Sequence, residues 1–228
     1  MQPLTETVPK PLLPIDGKPV LESIIELLMA CGIRDTVIVV GRLKEKIQKF
    51  LDEKANLGAR IVYAYQDEAR GSGDAVNKAR DLIDEDFLVI ASDTVFNPVE
   101  IREMVTAFKS SALNALIGLK RVPPEELKRR STVKVDKNDF IKQIIEKPRE
   151  NEALSNISAA PLFIFTPRIW PYLEKLEPSK NGKYELAAAI QQLINKEDKV
   201  RGYHISYSRD ITRPIDVLKE NFSYLRDL

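Results

Sequence analysis

The 228-residue sequence has one cysteine, Cys31, and one histidine, His204. A single thiol excludes an internal disulfide and fits a reducing compartment. Cys31 lies in an apolar helical run, where a small core residue is expected. His204 falls in the strand-like "RGYHISYS", and no Ser, Cys or Asp spacing makes it part of a triad, so it reads as structural. Long apolar runs are also lacking: none approaches the ~20 residues of a membrane span. The first residues show no basic segment followed by an apolar one, so no secretory signal is expected. Charge of one sign is lacking too. Lys plus Arg is 35 against 34 for Asp plus Glu, a formal net charge of +1. Neither nucleic acid nor an anionic membrane is expected as a bulk electrostatic partner, and any anion site must be local. There is no Gly- or Ser-rich linker, repeat or low-complexity tract. A cytoplasmic chain with one domain over 1–228 is the expectation.

What is present is a 43 % hydrophobic content, enough for a sizeable core, and a regular alternation of patterns. "PVLESIIELLMAC" at 19–31 has helical spacing, with Pro19 suited to the first turn and Gly32 just past the end. "TVIVVG" at 36–41 reads as a buried strand. A helix over 43–58, a strand over 60–66, a helix over 73–83 and a strand over 87–93 follow. Then come a helix from Pro98 and a strand ending near Val122. Strand-like runs at 132–136, 139–146 and 157–165 resemble a meander, before helices near 184–195 and 214–226. Strands alternating with helices over short connections predict an α/β fold with a parallel, doubly wound sheet. Ligands of such sheets sit beyond the carboxyl ends of strands. That rule nominates the loop before Pro19, the loop Gln66 to Gly73, and Asp93.

The first loop is dense in proline: Pro3, Pro9, Pro11, Pro14 and Pro19. Lys10, between two prolines of fixed φ, is either a stiffly held phosphate contact or a solvated lysine. In "QDEARGSGDA", Gly71 and Gly73 allow close backbone approach, and Gln66 offers a donor and an acceptor that suit a base edge. A flexible strand-to-helix loop is the alternative. It is not a dinucleotide fingerprint, because Val76 stands where G-x-G-x-x-G needs its last glycine. Asp93, after the apolar "FLVIAS", is either a Mg²⁺ ligand or a turn aspartate. Glu146 and Lys147 end a strand-like run in "IIEKP". Asp210 precedes the last helix, either in a site or as a turn cap.

Taken in order, "PLTETVPKPLLPIDGKPVLE", "YQDEARGSGDAV", "ASDTVF", "IIEKP", "YELAAAI" and "RDITRPIDVLKEN" resemble the sugar-phosphate nucleotidyltransferases, or NDP-sugar pyrophosphorylases. Glucose-1-phosphate thymidylyltransferases and uridylyltransferases are the most similar in pattern. The resemblance runs from residue 3 to about 221. It implies a Rossmann-like α/β fold with a mixed, mostly parallel sheet flanked by helices. It implies a reaction of NTP (dTTP or UTP) with a sugar 1-phosphate (glucose 1-phosphate) and Mg²⁺, giving NDP-sugar and pyrophosphate, and a tendency to homo-oligomers. Matched by motif, Lys10 contacts phosphate, Gln66 and Gly71 hold the base, Asp93 and Asp210 bind the metal, and Glu146 and Lys147 hold the sugar phosphate. Lys10, Asp93 and Asp210 are then the catalytic set.

The sequence also departs from the family pattern. The family's first strand and G-x-G-T-R loop, which lie before the proline-rich segment, are not in it. The first strand's neighbours are therefore expected to carry unpaired backbone groups. Ala159 and Pro161 replace polar and flexible residues near the sugar. The family's L-T-D-A-I is Leu186, Ala187, Ala188, Ala189 and Ile190, and the glycine of D-I-G is Thr212. These departures admit an alternative: a catalytically impaired relative that binds nucleotide or sugar phosphate, or a regulatory or scaffold subunit.

Overall fold

Apolar residues at helical spacing become helices where one stripe can be buried, and the run after Pro19 shows this. In the computed structural model, which describes residues 1–54 and 57–226, it forms a helix over Val20–Ala30. Val20, Leu21, Ile24, Ile25 and Leu28 are buried, and Gly32 at φ +79° follows its end. Cys31, expected in the core, is instead the half-exposed cap of this helix. Its amide bonds to the Leu27 and Leu28 carbonyls, because the chain must turn there toward Gly32.

The helices are α1 (Leu4–Thr7), α2 (Val20–Ala30), α3 (Lys44–Glu53), α4 (Ser72–Asn77), α5 (Pro98–Lys109), α6 (Trp170–Glu174), α7 (Leu186–Asn195) and α8 (Pro214–Arg226). The strands of the first half are β1 (Pro14–Ile15), β2 (Lys18–Pro19), β3 (Asp35–Val40), β4 (Arg60–Tyr65), β5 (Phe87–Ile90) and β6 (Thr94–Phe96). Those of the second half are β7 (Ala115–Arg121), β8 (Ser131–Val135), β9 (Ile141–Glu146), β10 (Ile157–Phe165), β11 (Val200–His204) and β12 (Ser208–Asp210). The helix expected over 43–58 is shorter, and its Ala55 and Asn56 lie outside the described residues. No described helix is long and apolar enough to cross a membrane.

The chain forms two compact units. One comprises Met1–Glu68, Ala91–Pro98 and Ser208–Leu228; the other comprises Ala69–Ile90 and Val99–Tyr207. Neither is continuous in sequence.

In the first unit β3 and β4 pair in parallel, from Asp35 opposite Arg60 to Val40 opposite Tyr65. Among the described residues β3 pairs with β4 alone. α2 and α3 cover the pair, with Leu21, Ile25, Ile38, Val40, Ile47 and Leu51 in one cluster. The short strands β6 and β12 pair antiparallel, with Asp210 opposite Thr94. α8 is tied to β1 through Asn221, whose Nδ2 donates to the Pro14 carbonyl at 3.2 Å.

In the second unit the sheet order is β11-β7-β10-β5. β11 runs parallel to β7, and β10 is antiparallel to both β7 and β5. The meander expected over 132–165 is therefore only a hairpin, β8 with β9. "ISAAPLFIF" is apolar nearly throughout, which suits an interior strand between two partners. Pro161 sits where the β10–β7 ladder is interrupted between Ala159 and Phe163, so its missing N–H breaks no bond there. Ile117, Leu119, Phe165, Ile169, Ile190 and Leu193 anchor the core. Phe87 stacks on Trp170 with centroids 4.6 Å apart. Ala187 and Ala189 lie on the buried face of α7, so these two alanines of "YELAAAI" serve helix packing, while Ala188 is exposed.

Candidate active site

The residues nominated from the sequence fall into two clusters, one in each unit. In the first unit, Pro9 and Pro11 hold Lys10 at the start of a single 3₁₀ turn, Lys10–Leu12. The Leu12 amide donates to the Pro9 carbonyl at 2.9 Å and the Leu13 amide to the Lys10 carbonyl at 3.1 Å. With φ fixed at both prolines and Leu13 buried, the direction of Lys10 is set locally. Its ammonium lies 2.5 Å from Asp93 Oδ2. Asp93 stands just before β6, past the end of β5 at Ile90, so the strand expected over 87–93 stops early.

Asp93 and Asp210 come together through the β6–β12 ladder. The Ile211 amide donates to the Asp93 carbonyl at 2.8 Å, which places residues 93 and 211 side by side. Thr94, fully buried, donates its hydroxyl to Asp210 Oδ1 at 3.1 Å. Two carboxylates at one end of a two-stranded ladder, Asp93 just before β6 and Asp210 at the end of β12, with Lys10 paired to Asp93, can meet a cation and a polyanion in one place.

A groove of about 530 Å³ opens beside them, within the size range of small-ligand sites. Lys10, Ser92 and Thr212 line it with Val39, Gly41 and Arg42. Arg42 was not singled out from the sequence. The signal for it was a cation directly after the strand-ending Gly41. Its guanidinium donates to the Thr5 carbonyl at 2.6 Å. Gln66 follows β4, with its amide bonded to the Val40 carbonyl at 2.8 Å. A Cβ on Gly41 would lie 2.7 Å from the Gln66 carbonyl oxygen, so a side chain is excluded at that close approach.

The second cluster is built on the loop before α4 and the N-terminus of α7. Gly71 has φ +123°, and a Cβ there would sit 2.5 Å from the Tyr184 carbonyl oxygen. Its need for glycine therefore comes from the backbone of Tyr184. The two segments are tied by Tyr184 N–H to the Arg70 carbonyl and Gly73 N–H to the Tyr184 carbonyl, each 2.8 Å. Arg70 also covers the Tyr184 ring at 4.7 Å. Ser72 accepts the Leu186 amide at 3.0 Å, capping α7 from another segment.

Lys147, at φ +46°, directly follows β9. Its ammonium donates to Glu185 Oε1 at 2.9 Å and lies 3.6 Å from Glu146 Oε1. Burial pushes the Glu146 carboxyl above its ordinary range; Lys147 opposes this and Glu185 adds to it. Burial acts to lower the Lys147 ammonium, but Glu185 and Glu146 together outweigh it and hold it above its ordinary range. Ser72, Tyr184 and Glu185 were missed as site residues. The "YELAAAI" motif pointed to their neighbourhood without assigning any of them. His204, read as structural, pairs with Asp139 at 3.1 Å and touches neither cluster's named residues.

The profile of the Nucleotidyl transferase family matches residues 1–221. "UTP--glucose-1-phosphate uridylyltransferase AglF" of Haloferax volcanii is 32% identical over 217 residues, covering 95% of this chain and 88% of that protein. "Low-salt glycan biosynthesis nucleotidyltransferase Agl11" of the same organism is 30% identical over 230 residues, covering 100% of this chain. "Bifunctional protein GlmU" of Methanocaldococcus jannaschii is 34% identical over 228 residues, again covering 100% of this chain. The chain spans 63% of the length of Agl11 and 52% of that of GlmU. A crystal structure of a UDP-glucose pyrophosphorylase complexed with UDP-glucose superposes with a TM-score of 0.90 at 24% identity, covering 100% of this chain and 94% of that one. At that identity the likeness carries the fold.

Proposed function

Because the chain belongs to the Nucleotidyl transferase family, we propose that it joins a nucleoside triphosphate to a sugar 1-phosphate, giving an NDP-sugar and pyrophosphate. The observation that carries this reading is the gathering of Lys10, Asp93 and Asp210 in one unit, beside a groove of ligand size. UTP or dTTP and glucose 1-phosphate are the proposed substrates. The name of AglF supports UTP and glucose 1-phosphate. For dTTP the support is the sequence resemblance alone.

The chemistry asks little of side-chain acids and bases. An oxygen of the sugar phosphate, already ionised at neutral pH, attacks the α-phosphorus, and pyrophosphate leaves. The protein must align two polyanions and offset charge at the α-phosphate. Lys10 is proposed to meet a phosphate oxygen of the nucleotide. Gln66 and Gly71 are proposed to hold the base, and Glu146 and Lys147 the sugar phosphate. No general base is assigned.

The donor set fits Mg²⁺. Asp93 and Asp210 offer hard oxygens at one end of the β6–β12 ladder, and Mg²⁺ commonly takes one or two carboxylates with phosphate oxygens and water. Asp93 and Asp210 would hold it, and the bound ion would supply charge neutralisation at the reacting phosphates. Lys10 would exchange Asp93 for phosphate as the substrates arrive.

A coupled assay for pyrophosphate tests the reading. Release that requires NTP, sugar 1-phosphate and Mg²⁺ together is expected. Thermal stabilisation by nucleotide without pyrophosphate from any NTP and sugar 1-phosphate pair would replace the enzyme with a binding or scaffold protein.

A further inference from the structure

Lys147 is held at both ends. Its backbone sits in the left-handed region at φ +46°, uncommon for a residue with a side chain, and its amide donates to the Arg130 carbonyl at 2.7 Å. Its ammonium is fixed by Glu185 at 2.9 Å. The two partners differ in exposure: the Glu185 side chain is 12% exposed and that of Lys147 41%. A carboxylate so enclosed requires donors. Glu185 has them on both oxygens, the Lys147 ammonium on Oε1 and the Ser72 hydroxyl, at 3.4 Å, on Oε2. It also stands immediately before α7, on a segment bonded through Tyr184 to the loop at Arg70 and Gly73. Glu185 is thus the anchored member of the pair, and the lysine tip is the accessible one.

The charges add a second argument. With both carboxylates ionised, Glu146, Lys147 and Glu185 sum to −1. A phosphate dianion reaching Lys147 gains most if the ammonium is already oriented and keeps a largely enclosed counter-ion behind it. Burial and Glu185 also favour the protonated form of Glu146, which brings the cluster closer to neutral.

We propose that Glu185 is a positioning residue of the sugar 1-phosphate subsite, pinning the Lys147 ammonium between a largely enclosed carboxylate and the incoming phosphate. The proposal rests on the nucleotidyltransferase reading above and adds a residue to it. No contact between Glu185 and substrate is needed.

The test uses Glu185→Gln, which keeps volume and the serine contact but removes the charge, and Glu185→Asp, which keeps the charge on a shorter arm. The KM for glucose 1-phosphate should rise about three- to tenfold in the Gln variant, with the KM for UTP unchanged. The Asp variant should fall between Gln and wild type. A KM for glucose 1-phosphate that is unchanged or lower, or UTP and sugar KM values rising together, overturns the proposal. A second arm needs no turnover. Labelling of Lys147 by an amine reagent, read by peptide mass spectrometry, should be faster in the Gln variant than in wild type, and glucose 1-phosphate should slow it in wild type. Equal labelling rates in wild type and variant overturn the proposal even if the protein releases no pyrophosphate, so the failure of this inference and that of the enzyme reading are told apart. If the Gln variant does not fold, the Asp variant carries the labelling arm, with the same direction expected.

Discussion

The ammonium of Lys10 rests 2.5 Å from Asp93 Oδ2, joining a proline-fixed turn to a residue 83 positions away. Both side chains are about one-third exposed, 29% and 32%, so solvent screens the pair and its share of stability is small. Its value lies in placing a cation beside a carboxylate. Lys10→Met should leave the unfolding free energy within about 1 kcal/mol of wild type. It should lower the rate of pyrophosphate release about 10²–10³-fold, the usual cost of removing one preorganised charge contact from a reacting centre. Chemical denaturation and the coupled assay check the two halves. Comparable turnover in the variant would remove Lys10 from the proposed chemistry.

Gly71 should not tolerate a side chain. A Cβ would lie 2.5 Å from the Tyr184 carbonyl oxygen at φ +123°, and the atoms it would meet belong to backbone that cannot step aside. Gly71→Ala is expected to lose about 3 kcal/mol or more. Gly182, at φ +68° with nothing within 4 Å of its Cβ position, is the comparison. Gly182→Ala should cost only about 1–2 kcal/mol, the left-handed penalty alone. Denaturation midpoints of the two variants measure the difference.

Glu146 should cost stability at neutral pH. Burial favours its protonated form, Glu185 acts the same way, and Lys147 only partly compensates, so its folded pKa lies above the unfolded one. The folded state then holds the proton more tightly than the unfolded chain does. Stability is greatest below the unfolded value of about 4.3 and declines as pH rises through the folded one. Glu146→Gln should therefore melt at a higher temperature than wild type at pH 7, and the gain should vanish near pH 4. Thermal melts across that range check this, and a lower melting temperature at pH 7 would contradict it.

Asp216 has the opposite sign. Burial opposes its ionisation, but the Arg213 side chain and the amides of Arg213 and Thr212 outweigh burial and hold its carboxyl below the ordinary range. Its Oδ2 accepts those amides at 2.7 and 3.2 Å, at the start of α8. This contribution is complete above the unfolded value of about 3.9 and is lost as pH falls through the folded one. Asp216→Asn should thus destabilise the protein at pH 7 by about 1 kcal/mol and flatten the acid limb of its stability profile. Urea unfolding at pH 7 and pH 3 measures both effects.

The elements that could be read from the sequence are those whose signal is local. α2, β3 and β4 follow from spacing and β-branched runs, and Lys10 from the prolines around it. β6 and β12 have three residues each and exist through each other, and nothing local marks strands so short. β10 was legible as a strand but not as the partner of β7 and β5, because an apolar run does not name its neighbours. Ser72 and Glu185 touch across 113 positions, and no periodicity encodes that contact. Asp93 and Asp210 were named separately by motif. The β6–β12 ladder that sets them side by side became visible only in three dimensions.

Phosphorus NMR of the full chain with Mg²⁺, UTP or dTTP and glucose 1-phosphate tests nucleotidyl transfer most directly. The prediction is NDP-sugar and pyrophosphate appearing in equal amounts as the triphosphate and sugar 1-phosphate signals decline, with no change once Mg²⁺ is chelated. Unchanged triphosphate signals with every NTP and sugar 1-phosphate pair, or inorganic phosphate in place of pyrophosphate, would contradict it.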